Sequence, residues 1–363
     1  MLLDGMIRSK FRKFTSGTSA ASAPLLLAVL SAALFGAATP ASKLLLNGFT
    51  PNQLAGVLYL GAALGSLPWA FRGSVQMPWR LDSANRRLLL GSVVFGGVLG
   101  PVLVLFGLKA ASAASISLWL NLELVATAML GAVLFRDFMG WRGWAAAGVA
   151  TLATGILAWG GGAAGIRAAV LVALACACWG LDNQLTSLID GLAPADATLW
   201  KGLAAGAMNL GIGLSLSAWA AGPVMTALAL AIGASCYGAS IILYITSAQR
   251  LGATRSQVIF STAPFFGVLL AVVVLGEKLS LVQSGSGVLF VSALILLAKE
   301  KHQHAHKHEA MEHEHRHSHD DGHHGHRHPG GRPEAEHFHR HGHEQRSHAH
   351  PHWPDLHHRH EHD

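Results

Sequence analysis

The chain has 363 residues, of which 51 % are hydrophobic and only 13 % are charged, and its formal net charge is +6. Most of the hydrophobic residues precede Lys301 and all 23 histidines follow it, so the first part of the chain is too apolar for a soluble domain. The tail from His302 has 7 Lys/Arg and 11 Asp/Glu, which leaves 19 and 9 for the body. Positive charge between apolar runs is typical of membrane-flanking loops and argues against nucleic-acid binding.

Apolar windows of about 20 residues, the length that crosses a bilayer, follow a basic N-terminal segment at residues 1–23. Lys and Arg concentrate in alternate connections, so the positive-inside rule predicts a cytoplasmic N-terminus. An even number of spans returns the tail to the cytoplasm as well. The ten predicted spans are residues 24–46, 52–71, 87–108, 114–135, 142–160, 167–189, 197–220, 223–246, 254–275 and 281–298.

A faint internal repeat relates the two halves of the body. Residues 27–46 align without gaps to residues 171–190, and residues 109–137 align to residues 249–277. Because each repeat has five spans, an odd number, the second must be inverted relative to the first, as in many secondary transporters. The predicted fold is therefore all-α: a polytopic membrane protein of two inverted five-helix repeats. Their bounds are residues 24–160 and 161–300.

Several short motifs occur in the spans in a characteristic order. Residues 35–43 read FGAATPASK, similar to W-G-x-x-x-P-x-x-K, and residues 120–125 read LNLELV, similar to L-x-P-V/L-E-P-V with Leu124 in place of the second proline. Span nine has STAP at residues 261–264 and LGE at residues 275–277. In these motifs the chain resembles the EamA-type members of the drug/metabolite transporter superfamily. The resemblance covers about residues 24–300 and implies solute transport through a ten-helix body.

A few polar side chains interrupt the apolar spans, where ionisable groups are costly and usually face a cavity or a partner. Glu123 and Asp182 are the acids at membrane depth, and each could bind a cation, exchange a proton or form a structural ion pair with a lysine. We expect Asn121, Glu123, Asp182 and Asn183 to line one cavity between the halves. The candidate substrate-binding residues are Lys43, Asn121, Glu123, Asp182, Asn183 and Lys201.

The tail, residues 301–363, is predicted to be a disordered cytoplasmic segment because it has very few apolar residues. Its repeated His-x-His spacing places alternate imidazoles on one side of an extended chain, which suits nickel, cobalt or zinc. The alternative is a solvated low-complexity tail with incidental metal affinity. The predicted metal ligands are His302, His304, His306, His308, His313, His315, His317, His319, His348, His350, His352, His357, His358 and His360.

These features favour a secondary transporter in the bacterial inner membrane over an enzyme. The body has no histidine for a catalytic triad and no phosphate-binding loop, and its three cysteines lie in apolar segments without metal-ligand spacing. The cargo is predicted to be a divalent metal that is exported. The alternatives are an amino-acid or metabolite exporter with a metal-responsive tail and a membrane-tethered metal buffer or sensor. No cofactor is required beyond ions held by the tail. The expected partners are the lipid bilayer and the solute, with no nucleic acid, and a homodimer is a further expectation.

Overall fold

The computed structural model describes residues 22–299, except 73–74, 135–138, 190 and 252. It also describes four segments of the tail. Its body is a bundle of helices, some of which form one predicted span in two or three pieces. In chain order they are α1 Ser22–Leu45, α2 Pro51–Ala70, a 3-10 turn Pro78–Arg80, α3 Ser83–Ser92, the π-helix π1 Val93–Leu99, α4 Gly100–Ala110, α5 Ala113–Trp119, α6 Leu122–Leu134, α7 Trp141–Gly160, α8 Gly162–Ser187, α9 Pro194–Leu216, α10 Pro223–Ile232, the π-helix π2 Gly233–Ala239, α11 Ser240–Leu251, α12 Ala253–Phe260, α13 Ala263–Leu275 and α14 Leu281–Ala298.

Eight helical stretches of the described residues are long and apolar enough to cross a membrane. They account for every predicted span except the second and the seventh, which correspond to α2 and α9. The polytopic helical membrane protein is therefore confirmed, and the number of ten spans stays a prediction. α2 is mostly interior, with 13 of its 20 residues buried. A helix in that position needs less apolar surface than one that faces lipid.

Backbone-to-backbone packing joins α2 to α9 and π2. A β-carbon added to Gly202 of α9 would lie 2.8 Å from the Tyr59 carbonyl oxygen of α2. On the other side of α2, a β-carbon added to Gly233 would overlap the Leu58 carbonyl oxygen. Small residues permit such approaches, which drive helix association where lipid offers no hydrophobic force. The glycines thus hold α2, a helix of the first half, against two elements of the second half.

The two π-helices occupy matching places in the two halves. Each follows a helix of 10 residues and spans 7, and π2 begins 140 residues after π1. In π1 the Gly100 N–H donates to the Phe95 carbonyl, five residues back, instead of to Gly96. Pro101 has no N–H to offer Gly97. The carbonyls of Gly96 and Gly97 are therefore released from the helix.

Side chains from three other helices donate hydrogen bonds to these two carbonyls. The Gly96 carbonyl receives hydrogen bonds from the Tyr59 hydroxyl and from Trp179 Nε1 at 3.0 Å, and the Gly97 carbonyl receives Asn209 Nδ2 at 2.9 Å. Buried backbone carbonyls need such partners in a membrane. The irregular backbone of π1 is consequently stabilised by α2, α8 and α9.

The described tail segments are four short strands: β1 Gln303–His308, β2 Met311–His317, β3 His337–His343 and β4 Arg346–Pro351. β1 pairs with β4 and β2 with β3, both antiparallel, with His304 opposite His350 and His313 opposite His341. In these four segments the backbones are extended and pair with each other, and the disorder expected of the tail stays a prediction. A two-stranded sheet on its own is marginally stable in water.

We predict that Gly202→Ala destabilises the protein, because the added methyl group meets α2 backbone that has no room to move. Overpacking of this kind costs about 1–3 kcal/mol. Gly211→Ala in the same helix is the matched control, since a β-carbon there meets nothing within 4 Å. Thermal unfolding of both variants in detergent checks this. An equal melting temperature for the two would contradict the tight contact.

Candidate functional site

A central cavity lies between the two halves of the bundle and encloses about 1120 Å³ of space, including its open mouth. Its wall is mostly apolar, and helices of both halves contribute to it. From the first half come Phe35 of α1 and Val104 of α4, and from the second come Tyr237 of π2 and Phe290 of α14. Concave, largely apolar sites with a few polar groups are typical of small-molecule binding.

Glu123 is the one carboxylic acid among the residues that line this cavity, and no lysine, arginine or histidine is among them. The break in span four after Trp119 places it in the first turn of α6, where the helix dipole favours a carboxylate. Asn183 of α8 donates to Glu123 Oε1 at 3.2 Å and to Thr127 Oγ1 at 3.2 Å. Among the described residues Glu123 has no salt-bridge partner. Its carboxylate is thus oriented but leaves its charge free for a ligand.

Asn121 also lines the cavity, beside the same break. Its Nδ2 donates to the Leu118 carbonyl at 2.9 Å, which also accepts the Asn121 backbone N–H at 3.2 Å where α5 ends. Three of the predicted cavity residues, Asn121, Glu123 and Asn183, therefore lie together. The break itself supplies the reason, since it exposes polar groups at the level of the cavity.

Asp182 does not line the cavity, contrary to the sequence-based expectation. It is buried against Lys201, whose Nζ lies 2.7 Å from both carboxylate oxygens. Ser92 and Thr186 donate to Asp182 Oδ1 at 2.6 Å and 3.0 Å. The ion pair satisfies both charges and holds α8 against α9 and α3. Lys201 is likewise absent from the cavity wall.

Lys43 lies at one end of the bundle and not in the cavity wall. Its Nζ donates to the carbonyls of Leu108 and Ala111, the latter at 2.8 Å, and so caps the end of α4. This is the favourable place for a cation at a helix C-terminus. The contacts that the structure shows for Lys43 are thus with the end of α4, and its contact with substrate stays a prediction.

The same end contains a second cap that sequence reasoning missed. Both Glu277 carboxylate oxygens accept backbone N–H groups, from Ala113 and Ala114 at 2.8 Å each, at the start of α5. Gln283 of α14 donates to Ser112 Oγ at 3.1 Å and Ser115 Oγ at 2.9 Å. The LGE motif at residues 275–277 draws attention to Glu277, but only the fold shows that this side chain contacts α5 of the other half.

Within the described body, no three His, Cys, Asp or Glu side chains lie close enough together to hold a metal ion. Six of the predicted tail ligands lie outside the described residues: His302, His319, His352, His357, His358 and His360. The other eight lie in β1, β2 and β4, where His306 is also opposite His348 and His315 opposite His339. Metal binding by the tail stays a prediction.

We predict that the two membrane acids have separable roles. Asp182→Asn should lower stability strongly, by about 3–5 kcal/mol, because it leaves Lys201 buried without a counter-charge. Glu123→Gln should leave the melting temperature nearly unchanged, because this side chain has no ion pair to lose. Adding Lys201→Met to Asp182→Asn should restore much of the stability. Equal melting temperatures for the two single variants would show that the ion pair is unimportant.

Comparison with known proteins agrees with this architecture. The EamA-like transporter family model matches the chain twice, at residues 22–159 and 166–299. An uncharacterized transporter of Methanothermobacter thermautotrophicus is 24 % identical over 295 residues, which cover 75 % of this chain and 85 % of that relative. A solved crystal structure of a protein superposes with a TM-score of 0.55 at 16 % identity, over 77 % of this chain and 99 % of the other, which shows a shared fold. With most of its body matched by the model in two copies, the chain belongs to the EamA-like transporter family.

Proposed function

We propose that the protein is a secondary transporter that carries a small organic cation through the central cavity. Membership of the family supports transport as the activity and argues against an enzyme. The single observation that supports the cargo is the position of Glu123, an oriented carboxylate without a salt-bridge partner among the described residues, in a largely apolar cavity.

The wall of the cavity suits an organic ammonium ion. Phe35 packs edge-on against Tyr237, with ring centroids 5.8 Å apart, and against Phe260 at 5.2 Å. Aromatic faces attract cations, and an apolar wall accommodates the carbon skeleton of a solute. One carboxylate balances one positive charge. The cargo we infer is accordingly an organic cation, which corresponds to the metabolite-exporter alternative.

Alternating access between two inverted five-helix halves is the mechanism we propose. The two-fold family match and the matching π-helices support a duplication. Spans four and nine are also interrupted at corresponding places, after Trp119 and after Phe260. Because both halves line the cavity, a rocking motion of one against the other would open it to each side in turn.

The Lys/Arg distribution supports ten spans with both termini in the cytoplasm. In that orientation Lys43, Glu277 and Gln283 lie on the outer side of the membrane. Their hydrogen bonds tie α1, α13 and α14 to the α4–α5 connection. We therefore propose that the outer end is the closed one in this conformation and that the cargo enters from the cytoplasm for export.

Flux measurements in proteoliposomes test this proposal. Labelled alkylamines should be transported by the unaltered protein, and Glu123→Gln should reduce the rate at least tenfold while leaving expression and melting temperature intact. Ser292→Ala is the control, because its hydroxyl bonds its own helix on the exposed surface. Equal flux through Glu123→Gln would remove the basis for the organic-cation cargo.

Divalent metal export is a second candidate, and the observation that favours it is the tail with its 23 histidines. A tethered tail would keep captured nickel, cobalt or zinc near the inner mouth at high effective concentration. Protonated imidazole cannot ligate, so capture should weaken as the pH falls through about 6.5. The tail could equally buffer metal without delivering it.

Truncation after Lys301 separates these roles. If the tail feeds the transporter, the shortened protein should still fold but export metal more slowly at low cytoplasmic concentration, with the difference vanishing at saturation. Radiolabelled nickel, cobalt and zinc in proteoliposomes provide the measurement. Unchanged flux at every concentration would contradict the feeding role, and lost metal tolerance with unchanged flux would indicate a buffer.

A further inference from the structure

Two buried hydroxyl groups in the cavity wall have no hydrogen-bond partner among the residues that the structure describes. Ser42 of α1 is 2 % exposed and Ser117 of α5 is fully buried, and both line the central cavity. Polar groups buried in an apolar setting are normally paired, and an unpaired one is a costly exception that calls for an explanation. A bound molecule would provide one.

The unpaired state is not the usual one for hydroxyls in this bundle. Thr127, Thr151 and Thr154 each donate to the carbonyl four residues back in their own helix, at 2.8 Å. Ser42 and Ser117 could do the same but do not. Four other buried side-chain atoms of the described chain also lack a partner, and they lie outside the cavity wall: those of Trp119, Asp196, Asn209 and Ser286.

Ser117 lies at a close contact between helix backbones. Its Oγ faces Gly267 of α13, where an added β-carbon would lie 2.5 Å from that oxygen. Gly267 also approaches the Gly36 carbonyl of α1, at 3.0 Å from the same added carbon. The hydroxyl therefore lies where α1, α5 and α13 meet, one helical turn from the N-terminus of α5 that Glu277 caps.

This position is remote from Glu123. The two residues are six positions apart on span four, which corresponds to roughly 9 Å along a helix. The cavity thus has a carboxylate with amide groups at one level and the neutral hydroxyl of Ser117 at another, and the Ser42 hydroxyl also lies in its wall. The wall between them contains apolar residues such as Leu120 and Val104.

From this arrangement we infer that Ser42 and Ser117 form a second binding subsite, for the uncharged polar end of an elongated organic cation. The inference rests on the proposed function, in which Glu123 binds the charged end. Serine hydroxyls donate and accept hydrogen bonds without adding charge. A hydroxyl, ether or amide group would satisfy them, and a purely hydrocarbon end would leave them unpaired.

Binding of three simple amines to the purified full-length protein in nanodiscs, measured by calorimetry, tests the subsite. Aminohexanol has an ammonium group and a hydroxyl group separated by a chain of suitable length. Hexylamine lacks the hydroxyl, and aminoethanol is too short to reach both ends. One hydrogen bond typically changes affinity by roughly fivefold, so aminohexanol should bind at least that much more tightly than hexylamine or aminoethanol.

Ser117→Ala and Ser42→Ala should each reduce the affinity for aminohexanol towards that for hexylamine and leave hexylamine binding unchanged. Ser292→Ala should alter neither. Equal affinities for the two amines in the unaltered protein, or equal losses for both in the serine variants, would overturn the subsite. Hexylamine binding that survives Glu123→Gln would instead overturn the proposed function, so the two failures are distinguishable.

Discussion

The rest of the structure depends on the contact of α2 with its neighbours. Its backbone touches α9 at Gly202 and π2 at Gly233, at distances that exclude any side chain on those glycines. Interior helices of membrane proteins associate through packing, because lipid is as apolar as their side chains. With 13 residues buried, α2 carries Leu58 into the cavity wall and Tyr59 to the released Gly96 carbonyl.

A chain of hydrogen bonds connects that packing to the cavity. Trp179 donates to Gly96 and also lines the cavity, so one indole both satisfies the irregular backbone of π1 and shapes the binding space. Asp182 lies three residues further along α8 and holds Lys201 beside the same π-helix. The ion pair therefore stabilises the helices of the wall without lining the cavity itself. Glu123, in contrast, lines the cavity and has no salt-bridge partner among the described residues.

The sequence predicted the helical body, its duplication and the polar residues that interrupt it, because apolar length and isolated polar groups are local properties of the chain. It could not assign Asp182 and Lys201 to each other, since they are 19 residues apart on different helices and only packing brings them together. Nor could it identify Ser42 and Ser117, because a serine that lacks a partner looks the same in sequence as one that has it. Pro101 and the adjoining glycines were a readable signal for the irregular helix. These residues do not predict a π-helix by themselves, because glycine and proline are common in membrane spans.

The π-helices also carry information about the order of events in the history of the chain. A π-helical turn closes its hydrogen bonds over five residues and so holds one residue more than an α-helical turn. Here such turns begin 140 residues apart, at matching places in both halves. A single origin before the halves diverged accounts for both with fewer changes than two separate origins. The glycines are not part of that shared inheritance, because Gly96 and Gly97 of π1 match Cys236 and Tyr237 of π2, so each half packs its irregular turn with glycines of its own.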